Sequence, residues 1–131
     1  MKVSKKMFIL LFLILICKNS FADAMSSEPS QEPSAPYRLF KTANIWTFIK
    51  LNTITGQMWQ IQFDIQGDNR GAVILNSTNL AKGDKNIPGR FTLYPTSNIY
   101  TFILVDQFKG KTWQVQWSSE VNSRFILPLS E

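Results

Sequence analysis

The chain has 131 residues, 14 basic against 9 acidic side chains, no histidine and a single cysteine. The formal charge of +5 misleads, because Lys2, Lys5, Lys6 and Lys18 lie in a leader, and the remainder balances at ten bases against nine acids. With no clustered basic stripe the composition excludes a nucleic-acid binder, and with no histidine it removes the commonest general base and the usual zinc ligand sets.

In chain order, the lysines at the start precede an apolar run at residues 7–17 and then Ser20-Phe21-Ala22. A basic n-region, an apolar h-region and small residues before a cut predict a secretory signal peptide over residues 1–22. The run is too short for the roughly 20 apolar residues of a membrane span, so no span is expected after cleavage. Cys17 offers an alternative, lipoprotein processing, although Ile16 stands where such sites want a small residue. Either cut removes the only thiol, and no disulfide is expected in the folded part. Residues 23–36 turn to Ser, Glu, Pro and Ala, the composition of a disordered tether. One domain is left, residues 37–131.

That domain says nearly the same thing twice. Thr42-Ala43-Asn44-Ile45-Trp46-Thr47-Phe48-Ile49 returns as Thr96-Ser97-Asn98-Ile99-Tyr100-Thr101-Phe102-Ile103, and Trp59-Gln60-Ile61-Gln62 as Trp113-Gln114-Val115-Gln116, each 54 residues on without a gap. A period of this length marks a duplicated supersecondary unit that needs a neighbour to cover its apolar face. The two repeats span residues 37–76 and 91–129.

Each repeat reads as strands. Residues 45–52 and 99–106 are dense in β-branched and aromatic side chains, and residues 57–64 and 111–118 alternate apolar with polar. Asn52 and Asp106 suit turn starts, with Gly56 and Gly110 four residues later to take positive φ. Shorter strands are expected at 37–41, 72–75, 91–94 and 125–129, with Pro128 confined to an edge or a bulge. The expected fold is all-β: two pseudo-symmetric four-stranded antiparallel units closing into a small barrel or sandwich, or alternatively two propeller-like blades that oligomerise.

Trp59, Trp113, Phe48, Phe102, Ile61 and Val115 are the expected core, since a buried indole removes on the order of 200 Å² from water. Gln60, Gln62, Gln114 and Gln116, with Trp46, Tyr100 and Trp117, form the candidate binding set, offering amide donors and acceptors beside aromatic rings. Arg70 and Arg124 are matched, and either pair with Asp68 or Glu120 or stay hydrated. Asp64 or Asp68 with Glu120 is the best carboxylate pair for a hydrolase and reads more simply as solvated turn acids. No catalytic residue, metal or cofactor is expected.

The repeated Thr-x-Asn-x-(Trp/Tyr)-Thr-Phe and Gly-x-x-Trp-Gln-x-Gln motifs resemble those of small secreted or envelope proteins of bacteria, a group whose resemblance implies no activity or functional residue. Asn52 departs from the Asp more usual at its position. More distantly, two Trp-containing units in so short a domain are similar to small bacterial and fungal lectins that trimerise into a six-bladed propeller. The expected function is an exported, non-enzymatic binding module for a protein or envelope component. A carbohydrate-binding lectin is the alternative, and an inhibitor or immunity protein a further one.

Overall fold

Asn52 and Asp106 open identical turns. The Oδ1 of Asn52 accepts the N–H groups of Ile54 and Thr55, and that of Asp106 accepts those of Phe108 and Lys109. Each turn closes on a glycine at positive φ, Gly56 at 76° and Gly110 at 74°, where a side chain would be strained. The hairpins on either side follow from that chemistry.

The structure is a computed structural model in which residues 32–129 are described. The signal peptide expected over residues 1–22, the expected tether as far as residue 31, and Cys17 lie outside the described residues. Eight strands run in order: β1 (Tyr37–Lys41), β2 (Thr47–Asn52), β3 (Met58–Gln62), β4 (Gly71–Asn76), β5 (Phe91–Pro95), β6 (Thr101–Asp106), β7 (Thr112–Gln116) and β8 (Phe125–Leu129), with a short 3-10 turn at Val121–Ser123. They form two antiparallel meanders, β1-β2-β3-β4 and β5-β6-β7-β8. Thr47 pairs with Gln62 and Ile49 with Gln60 in the first, as Thr101 pairs with Gln116 and Ile103 with Gln114 in the second. Pro128 falls on the edge strand β8, where a proline is tolerated. The fold is all-β, with two separate sheets facing each other and no closure into a barrel. No helix among the described residues is long and apolar enough to cross a membrane.

The sheets face each other the same way up. In β2 the buried residues are Thr47, Ile49 and Leu51; in β6 they are Phe102, Leu104 and Asp106, the counterparts of the other face. Met58 and Gln60 complete the buried side of the first sheet, and Phe91, Leu93 and Val115 that of the second. Like faces therefore do not meet. The front of one repeat lies on the back of the next, as two successive units of a stack would.

This stacking corrects the expected core. Phe102 and Val115 are buried and Trp113 packs against the core, but Phe48, Trp59 and Ile61 are only half-buried, on the outward face of the first sheet. Sequence identity places equivalent residues on equivalent faces, and only one of each pair can then be inside. Lys50 Nζ lies 4.6 Å from the ring centroid of Trp59, so a cation–π contact caps that indole on the outward face.

The start of the fold also differs from expectation. Ahead of β1, the Thr53 N–H donates to the Pro36 carbonyl at 2.8 Å and its hydroxyl to that of Ala35 at 2.7 Å, while the Pro33 carbonyl lies 3.0 Å from where a side chain on Gly89 would begin. The last residues assigned to the tether are thus docked on the domain.

Candidate functional site

The Thr-x-Asn motif builds the loops that border the space between the sheets. The Thr42 hydroxyl donates to the Thr47 carbonyl at 2.9 Å, and Asn44 Oδ1 accepts the Trp46 N–H at 2.8 Å. Thr96 and Asn98 repeat this for Thr101 and Tyr100. These side-chain bonds reinforce the backbone closure of the loop, in which the Thr42 N–H donates to the Thr47 carbonyl at 3.4 Å and the Thr47 N–H to the Asn44 carbonyl at 3.1 Å. Sequence reading treated this motif as a family mark only; the Thr-x-Asn spacing is itself the signal of a side-chain-closed turn.

These loops hold Trp46 and Tyr100 at the ends of the hairpins, each against the aromatic that follows its third strand. Trp46 meets Phe63 edge-on with centroids 5.3 Å apart, and Tyr100 meets Trp117 at 5.2 Å. Trp117 is only 4% exposed and donates its indole N–H to the Ile99 carbonyl at 3.0 Å. It is therefore a wall rather than a platform, and Tyr100, 45% exposed, is the ring that a ligand can reach.

A cleft of about 360 Å³ runs between the sheets here, bordered by Asn44, Thr47 and Gln62 of the first repeat and Tyr100, Trp117 and Ser119 of the second. Gln60 and Gln62 also border a smaller adjoining hollow of about 220 Å³ with Asn69, Arg70 and Arg124. The cleft offers amide and hydroxyl groups and one aromatic edge, with no ionisable acid in its wall. Such a surface can hydrogen-bond a polar uncharged molecule and stack against its apolar side.

The glutamines do not form one surface. Gln60 is 3% exposed, its Nε2 donating to the Ser118 carbonyl at 3.1 Å and its Oε1 accepting the Ser118 N–H at 3.2 Å. It joins the sheets, and is a structural bridge rather than a contact residue. Gln62 stays exposed in the cleft. Gln114 and Gln116 point out of the far side of the second sheet, and Gln116 Nε2 donates to the Ser123 carbonyl. The same-way-up stacking is the reason: the two glutamine ladders share a face type, so one looks into the cleft and the other away from it.

Arg70 and Arg124 bond to carbonyls and not to the acids suggested for them. Each donates its Nε to the chain just past its third strand, Arg70 to Asp64 at 2.9 Å and Arg124 to Ser118 at 2.7 Å. Ser118 thus accepts from both Arg124 and Gln60.

The strongest electrostatic feature lies away from the cleft. Arg90, itself buried, makes a bidentate pair with Asp106 at 3.0 and 2.7 Å and also reaches Asp84 at 2.9 Å, which Lys109 contacts at 2.8 Å. Burial pushes the Asp106 carboxyl up, but the Arg90 guanidinium and the N–H groups of Lys109 and Phe108 outweigh it and hold it below the usual range. Hydrogen bonds from Lys109 and Arg90 lower Asp84 as well. Sequence reading placed Asp106 in its turn and missed Arg90, which lies in a connection without pattern 16 residues before that partner.

Among the described residues, no group of three or more His, Cys, Asp or Glu could hold a metal ion. No protein-family model, curated protein or solved structure matches the chain.

Proposed function

We propose that this chain is an exported, non-enzymatic binding module that recognises a hydroxyl-rich component of the cell envelope, a glycan, in the cleft between its two repeats. One observation carries the reading: the cleft joins the side chains of Asn44, Thr47, Gln62 and Ser119 to the exposed ring of Tyr100, with no acid in its wall. Sugars present hydroxyls around their rim and C–H groups on their faces, which amides and aromatic rings satisfy together. The basic and apolar leader read from the sequence supports a place outside the cytoplasm for such a ligand.

The test is a titration of purified protein with neutral envelope polysaccharides and their oligosaccharides, followed by tryptophan fluorescence, since Trp117 backs the cleft. Saturable quenching is expected, weakened at least tenfold by Tyr100→Ala and by Gln62→Ala with little change in melting temperature. Binding that is indifferent to both substitutions, or no response to any saccharide, would remove the cleft as the site.

A further inference from the structure

The two outward faces of this molecule are made like its inward ones. On the first sheet Leu39, 44% exposed, is the counterpart of Leu93, 4% exposed in the core. Phe48 and Trp59 likewise answer to the packed Phe102 and Trp113. On the second sheet, Ile103 and Gln114 look outward as counterparts of the buried Ile49 and Gln60. A sheet face meant for water alternates to polar residues, whereas these keep the apolar pattern of the buried copy.

The outward faces also differ in kind. One is the back of a repeat and the other the front, and front on back is the pairing that already joins the two sheets inside the chain. We infer that a second copy of this chain covers each face, so that the protein self-associates head to tail by repeating its own internal junction. Such a contact is heterologous, using two different patches, and it adds copies in one direction until the rotation closes.

The internal junction specifies the contact in detail. Within the chain Gln60 pairs with both backbone groups of Ser118. The position equivalent to Ser118 is Asp64, whose carbonyl already accepts Arg70 as that of Ser118 accepts Arg124. Among the described residues the Asp64 N–H and the Gln114 amide have no partner. The Gln114 amide of one copy therefore meets the Asp64 backbone of the next. The same step brings Trp46 and Phe63 of one copy to Asn98 and Gln116 of its neighbour, repeating the cleft between subunits. Only this last point rests on the ligand reading.

The test needs no ligand. The protein is expressed from its full sequence, purified as the cell delivers it, and weighed by light scattering and native mass spectrometry. A mass of several chains is expected. Leu39→Glu on one face and Ile103→Glu on the other should each give monomers, and mixing the two should restore dimers and nothing larger, because each variant keeps one good face. Gln114→Ala, a milder change, should raise the concentration needed for assembly about tenfold without altering the tryptophan circular dichroism of the monomer. A wild-type protein that stays monomeric at every concentration overturns the inference. So does full assembly by either glutamate variant, or a mixture in which no dimer forms.

Discussion

The two repeats share their strands, turns and motifs, yet they are held in different ways. In the first, the turn start is Asn52, a neutral amide that accepts two backbone N–H groups. In the second, the same position is Asp106, which accepts the same two bonds and also carries Arg90. The first repeat meets the N-terminal approach at Pro36, while the second meets the long connection at the equivalent position, Arg90. At its turn start the duplicated unit thus keeps its backbone chemistry and gains a charge where its surroundings supply a buried arginine. Position in the stack, rather than sequence, decides what each residue contributes.

The largest break in the equivalence is expected at the turn starts. Asp106→Asn keeps the turn bonds but leaves Arg90 buried with a weakened partner, at a cost of about 3–5 kcal/mol. Asn52→Asp, its mirror, should stay within about 0.5 kcal/mol, as substitutions near the surface usually do. Urea unfolding of the pair reads both. Next come the glutamines. Gln60→Ala removes two bonds across the sheets and strands the Ser118 N–H, costing about 1–3 kcal/mol. Gln114→Ala, at the same position of the outward face, should leave the unfolding of the monomer nearly unchanged.

The turn glycines separate by less. Gly110→Ala meets open space and bears only the positive-φ strain of about 1–2 kcal/mol. Gly56→Ala adds a clash with Leu80, whose Cδ1 is 2.9 Å from the new Cβ, so its melting temperature should fall further. The gentlest probe is pH. Asp106 is held below its unfolded value, so its contribution is complete above the ordinary aspartate range near pH ~3.9 and is lost as pH falls through the folded value. Wild-type stability should therefore decline below about pH 4, and Asp106→Asn should flatten that decline. An unchanged slope would contradict the lowered carboxyl.

Much of the fold was legible because the signals are local. Strict alternation at Trp59-Gln60-Ile61-Gln62 and the Asn52…Gly56 spacing each fix a strand or a turn without reference to distant residues. Which side of a strand is buried is not local. Trp59 and Trp113 have the same neighbours in sequence, but Trp113 packs against the core while Trp59 lies on the outward face with Lys50 over its ring. The cleft was half legible for the same reason. Tyr100 and Gln62 were among the named candidates, while Trp117 became a buried wall and Gln60 a bridge once the sheets were stacked. Nothing in the pattern of residues 77–90 marks Arg90 as the partner of Asp106.

The orientation of the two sheets is most directly tested by nuclear Overhauser contacts across their interface. Front-on-back stacking predicts cross-peaks between the Gln60 side-chain amide and the Ser118 backbone N–H, with none between the Gln60 and Gln114 amides. Cross-peaks joining Gln60 to Gln114 would mean that like faces meet about a two-fold axis, and would contradict both the structure and the assembly drawn from it.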